Sequence, residues 1–109
     1  MAKIKTEIRK KIIKFYELIK NIYPVKKIFV FGSHANGTSH KDSDIDLGVV
    51  VDLPENTDFI DLNVKMFHYA DKIDTSFEPK CISWKDYKSH PSASILSEII
   101  RTGIDVISA

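Results

Sequence analysis

One cysteine, Cys81, stands in a chain of 109 residues, so neither an internal disulfide nor a cysteine-based zinc site can be built from it. That usage fits a reducing compartment, and Cys81 reads as a small apolar strand residue rather than a reactive thiol. No run of about 18 apolar residues is present to span a bilayer, and the opening MAKIKTEIRKK lacks the apolar segment of a secretory signal. The expectation is a soluble, cytoplasmic protein with no membrane partner. Glycine and proline are scarce, four of each, which excludes collagen-like and low-complexity chains. With 43% hydrophobic and 28% charged residues, residues 1–109 read as a single domain, too short for two. A chain this size buries roughly two thirds of its unfolded surface, enough for one core with a cleft at its edge.

The net charge of +1 hides an asymmetry. Residues 1–30 carry nine Lys/Arg against Glu7 and Glu17, a balance of +7; the remainder carries seven against thirteen, a balance of −6. A basic first helix can meet nucleic acid or an acidic partner, but such lysines also form the wet face of any amphipathic helix, and that is the preferred reading. Ile4, Ile8, Ile12, Phe15, Ile19 and Ile22 recur at steps of three or four and predict a helix over 3–22, stopped by Pro24. KKIFVFG (26–32) and SDIDLGVVV (43–51) predict two strands around the polar stretch SHANGTSHKD. A helix over 58–70 is capped by Asp58. KIDTSFEPKCI (72–82) predicts a third strand whose Pro79 asks for an edge position or a bulge. SASILSEIIRTG reads as a helix closed by Gly103, and IDVIS as a short last strand.

Chemistry concentrates in FVFGSHANGTSHKDSDIDLGVVV (29–51). Gly32 and Gly37 have the spacing of a phosphate-binding P-loop, but Thr38 occupies the place of its essential lysine. Asp42, Asp44 and Asp46 alternate as in a calcium loop, but Gly48 falls one place late and Leu53 stands where a bidentate Glu is needed. A two-metal nucleotide site suits the spacing better. In a strand, Asp44 and Asp46 leave the same face with Cα atoms roughly 6.5 to 7 Å apart, while Ile45 and Leu47 anchor the segment in the core. Carboxylates suit Mg²⁺, which takes its remaining ligands from substrate phosphates, and a pair of such ions stabilises both oxygens of an in-line displacement at phosphorus. Gly32, with no Cβ, and the Ser33 hydroxyl supply amide and hydroxyl donors for phosphate. Asp42 reads as a turn residue. His34, His40, His68 and His90 show no metal-ligand spacing, although His34 stands near the phosphate donors. Phe77, Trp84 and Tyr87 are candidates to stack a base, with packing the default for each.

The combination G-S-x-A-x-G-T followed by S-D-I-D-L resembles the signature of nucleotidyltransferases with the DNA polymerase beta fold, specifically the minimal single-domain group. The ending, SFEP through ILSEIIRTGIDVI, resembles members of this group too, so the likeness covers nearly the whole chain. It implies an α+β fold, a small mixed sheet packed against helices. It places Gly32 and Ser33 on the nucleotide triphosphate, Asp44 and Asp46 on Mg²⁺, and a third carboxylate, catalytic and metal-binding, on a later strand. KIDTSFEP offers Asp74, preferred because it follows a basic and an apolar residue as in the family, with Glu78 the alternative four residues on. Asn36 departs from the pattern, since many relatives carry Lys or Arg there to neutralise triphosphate; Lys41 or a basic residue of the first helix is left to compensate.

The activity this resemblance implies is transfer of a nucleoside monophosphate, AMP from ATP, to an acceptor hydroxyl, with pyrophosphate released. Relatives that polymerise or modify drugs grip their acceptors with extra domains for which 109 residues leave no room. Minimal members resemble the antitoxin half of a toxin–antitoxin pair, which implies a HEPN-type RNase toxin as partner and a tyrosine on it as acceptor. The rival readings are a non-catalytic antitoxin that neutralises its partner by occlusion, disfavoured by the intact acid set, and a nucleic-acid tailing enzyme, favoured only by the basic first helix.

Overall fold

In the computed structural model, which describes residues 4–38 and 43–108, the chain forms four strands and five helices. In order these are α1 (Thr6–Ile19), β1 (Val25–Phe31), α2 (Ser33–Asn36), β2 (Ile45–Val51), α3 (Phe59–Asp71), β3 (Phe77–Ser83), α4 (Trp84–Lys88), α5 (Ile95–Thr102) and β4 (Ile104–Ser108). The sheet order is β3-β2-β1-β4. β1 is antiparallel to both β2 and β4, while β2 and β3 run parallel across the α3 crossover. This is the expected small mixed sheet of an α+β fold.

Side-chain alternation gives the sheet two unlike faces. Ile28 and Val30 of β1, Ile45, Leu47, Val49 and Val51 of β2, and Phe77 and Cys81 of β3 join Ile8, Ile12, Phe15 and Ile19 of α1 and Leu62, Met66 and Ala70 of α3 in the main core. Phe15 meets Phe77 edge to face with ring centroids 6.3 Å apart. Each fully buried Ile, Leu or Phe contributes on the order of 1.5 to 3 kcal/mol, so this face holds the fold together. The opposite face is half covered. Phe29, Val50 and Ile82 pack under Trp84, Tyr87, Leu96, Ile99 and Ile100 of α4 and α5, and the strand ends nearest Phe31 are left as an open cleft. Gly48 makes room for the Phe29 ring, which a Cβ there would strike.

The structure moves several element boundaries. α1 ends at Ile19, Tyr23 N–H donates to Ile19 O at 2.9 Å, and Ile22 falls outside the apolar stripe at 53% exposure. The third strand starts at Phe77, not Lys72. The N–H groups of Lys72, Ile73 and Asp74 still bond back to Tyr69 and Ala70 at the end of α3, and Asp74 then closes a turn by accepting from Ser76. Pro79 does sit on an edge strand, where it need not donate to a ladder. Two residues on, in the same phase, the Cys81 N–H is met by the Asn63 side chain at 2.7 Å. α4 has no counterpart in the periodicity reading, although Ser83 caps it by accepting from Asp86 N–H. The last helix is shorter than its pattern, beginning after the cap Ser94. Gly103 closes it in extended backbone at φ −71°, so its lack of a side chain serves Phe29 and the Ile99 carbonyl, which a Cβ would crowd. Burial pushes the Cys81 thiol up to about 12, in keeping with an inert strand residue. Asp42, His40 and Lys41 lie outside the described residues, and so does the side chain of Asn36.

Candidate active site

β1 ends at Phe31, and the chain turns sharply through Gly32 at φ +74°, ψ −150°, into the single-turn helix α2. Only glycine adopts that backbone without strain. It is required a second time here, because a Cβ on Gly32 would collide with Oδ2 of Asp46. The turn is held by Ala35 N–H donating to Gly32 O and Thr38 N–H to Ser33 O, at 3.0 and 3.1 Å. Gly37, at φ +82°, closes α2. His34 reaches across to the carbonyl of Ser43 at 3.4 Å, tying the turn to the approach of β2.

Pairing between strands then lines up the acids. Phe31 faces Asp46 across β1 and β2, and Asp46 faces Glu78 across β2 and β3. All three lie in one row on the half-covered face, opposite the Leu47 side of the sheet. Asp46 and Glu78 stand opposite each other on paired strands, close enough for each to act on the other's carboxyl. Burial holds the Asp46 carboxyl above its ordinary range; the Asp44 charge adds to this, while Glu78, His34 and Lys80 oppose it. Glu78 is likewise raised, by burial and by repulsion from Asp46 and Asp44. Asp44, exposed just before β2, completes the acidic cluster electrostatically. A cavity of about 340 Å³ opens over the row, lined by Phe31, Asp46, Glu78, Pro79 and Lys80 of the sheet and by Asn63 and Phe67 of α3.

Asp74 is elsewhere. Its carboxylate accepts from Lys11 Nζ of α1 at 2.8 Å and from the Ser76 hydroxyl and amide at 2.6 and 2.8 Å. Burial would raise its pKa, but these donors outweigh it and hold Asp74 at about 2. The structure therefore brings together Gly32, Asp44 and Asp46 of the expected residues, with Ser33 on the adjoining turn, and it brings Glu78 rather than Asp74 beside them. The signal for Glu78 was present: a parallel partner of β2 must offer residues of equal parity to the DxD pair, and once the strand begins at Phe77, Glu78 is that residue. The aromatic candidates resolve as packing. Phe77 is 1% exposed in the core, and Trp84 stacks on Tyr87 at 5.7 Å.

Among the described residues no three carboxylate, imidazole or thiol groups already converge on one point. The donor set nevertheless fits a hard divalent cation in its chemistry: oxygen ligands only, with two carboxyl groups on paired strands whose raised pKa values a bound cation would relieve.

The fold is shared with known proteins. In a crystal structure of a toxin–antitoxin complex with AMP-PNP, one chain matches 93% of this chain over 73% of its own length, at 26% identity and a TM-score of 0.55. A candidate nucleotidyltransferase from Sulfolobus solfataricus matches 96% of this chain and 89% of its own at 18% identity and a TM-score of 0.64. A complex of tri-AMPylated Shewanella oneidensis HEPN toxin with its MNT antitoxin matches 93% and 70% at 22% identity and a TM-score of 0.50; the last two likenesses concern the fold alone. No curated protein matches in sequence. The family model described as nucleotidyltransferase domain matches residues 7–100, a span that contains the glycine turn, the DxD pair and β3. The chain belongs to the nucleotidyltransferase domain family.

Proposed function

We propose that this nucleotidyltransferase moves AMP from ATP to a hydroxyl group of a partner protein, with Asp44, Asp46 and Glu78 as its acids. The observation that carries the reading is the row formed by Asp46 and Glu78 on paired strands, with Gly32 packed against the Asp46 carboxylate. Glu78 takes the part the sequence assigned to Asp74, whose carboxylate is already committed to Lys11 and Ser76.

Asp44, Asp46 and Glu78 are the residues that would hold Mg²⁺, which when bound supplies positive charge to the reacting phosphate and to the leaving pyrophosphate. The Gly32–Ser33 turn receives the triphosphate through its amides and the Ser33 hydroxyl. The acceptor hydroxyl loses its proton to the Glu78 carboxylate as its oxygen bonds to the α-phosphorus, and the bond from that phosphorus to the pyrophosphate oxygen breaks. Its place opposite Asp46 on the paired strand sets Glu78 at the cleft for this task. Asp46, pressed against Gly32, fixes where the phosphate chain lies relative to that base.

The partner reading draws support from the toxin–antitoxin complex with AMP-PNP at 26% identity. A HEPN-type toxin with a tyrosine acceptor is the specific form we propose. The test is to incubate the purified chain with ATP labelled at the α-phosphate, Mg²⁺ and the product of the neighbouring gene. A labelled partner and released pyrophosphate are expected, and mass spectrometry locates the modified residue. A partner that is silenced without acquiring label would instead mark this chain as an occluding protein.

A further inference from the structure

Of the described Lys and Arg side chains, Lys11, Lys27, Lys65, Lys85 and Arg101 are engaged in ion pairs. Lys20, Lys26, Lys72 and Lys88 lie over aromatic rings. The remainder are Lys5, Arg9, Lys10 and Lys14, at or on α1 and hence on the Leu47 side of the sheet, and Lys80. Lys80 is therefore the one described cation on the site's face with neither an ion pair nor a ring partner. It stands on β3 beside Gly48, two residues beyond Glu78 and in the same phase, so its Cα lies roughly 6.5 Å along the strand from that of Glu78. A lysine stem spans that distance. Its ammonium acts on Asp46, and its side chain lines the cleft.

We infer that Lys80 is the phosphate-binding cation of this site, set over the Asp46–Glu78 row to neutralise the transferred phosphate of a bound nucleotide. The inference rests on the nucleotidyl-transfer reading above and adds a residue to it. The physical need is plain. An NTP brings up to four negative charges to a cleft that already holds three acids, and residues 32–38, GSHANGT, contain no Lys or Arg. The lysines of α1 belong to a helix packed on the other face of the sheet. Lys80 supplies charge on the site's own side, because a lysine offers phosphate a mobile point charge on a flexible stem, and its side chain lines the cleft with Asp46 and Glu78.

Titration calorimetry of the intact chain with Mg·ATP and with adenosine tests this. Wild type, Lys80→Met and Lys80→Arg should have melting temperatures within a few degrees of one another in EDTA. Lys80→Met should bind Mg·ATP about tenfold more weakly, a loss of about 1.4 kcal/mol, with a shallower salt dependence and unchanged adenosine binding. Lys80→Arg should recover most of the affinity. A Lys80→Met variant that binds Mg·ATP as wild type does, or one that binds adenosine and Mg·ATP equally weakly, overturns the role of Lys80 while leaving the nucleotide site standing. Wild type that binds no Mg·ATP overturns both.

Discussion

Asp74, at the foot of β3, is gripped by Lys11 and Ser76, whereas Glu78, four residues on, faces another carboxylate, Asp46, on the paired strand. The first acid is held at about 2, and the second is raised. One accepts three hydrogen bonds and stabilises the native state as an anion. The other belongs to a cluster whose charges repel across a cleft, an arrangement that lowers the stability of the empty protein and that a cation would relieve under the proposed function. Side-chain type is thus a poor guide to environment; the neighbours decide whether a carboxylate is held by a cation or set against another acid.

Substitution separates the two places most sharply in the assay of transfer. Asp46→Asn should lower the rate about a thousandfold or more, since each 1.36 kcal/mol of lost transition-state stabilisation is tenfold, with the far-UV spectrum unchanged. Glu78→Gln should cost about a hundredfold or more, and Asp74→Asn no more than a few-fold. If Asp74→Asn is the dead variant and Glu78→Gln the active one, the roles assigned to these acids are reversed.

Melting curves should rank them in the opposite order. Lys11 is half exposed, so the link to Asp74 is discounted for solvent screening; Asp74→Asn should still destabilise by about 1 to 2 kcal/mol. That lowers the melting temperature by several degrees in a domain this size. Asp46→Asn removes repulsion and should raise the melting temperature of the metal-free protein by a few degrees. Mg·ATP should then stabilise wild type by about 2.7 kcal/mol at one hundred times the dissociation constant, and the variant much less.

The pH dependence carries opposite signs at the two places. A lowered pKa contributes stability that is present above the ordinary aspartate range and lost as pH falls through that range towards 2. The raised pKa values of Asp46 and Glu78 mean that the native state holds protons longer than the unfolded chain. Their effect is a loss of stability as pH rises from the ordinary carboxylate range through the raised values. Metal-free Asp74→Asn should therefore lose the acid-side fall, and Asp46→Asn should lessen the decline on the neutral side, both read from denaturant midpoints across pH. The smallest expected effect on transfer is that of Gly48→Ala, two residues beyond Asp46 on β2: overpacking against Phe29 should cost about 1 to 3 kcal/mol of stability, with transfer by the folded fraction reduced only a few-fold.

The apolar period of α1, the cap at Asp58, the edge position of Pro79 and the alternation of Ile45 and Leu47 with Asp46 were all legible, because each depends on residues within one or two turns of the chain, whereas Asp44 lies just before β2. So were Gly32 and the DxD pair, whose spacing is a local property. The choice between Asp74 and Glu78 was not local. Both are acids of equal parity on KIDTSFEP, and three facts from distant parts of the molecule separate them: the end of α3 consumes residues 72–74, a lysine 63 positions upstream claims Asp74, and the parallel register sets Glu78 opposite Asp46. The place of Gly103 was likewise decided at a distance, by a Phe29 ring on another strand. The sequence by itself determined which residues could form a nucleotide site and how each segment would coil or extend. Only the tertiary structure decided which acid was left without a cation to hold it, because strand register and the reach of a lysine from another helix are properties of the packed chain.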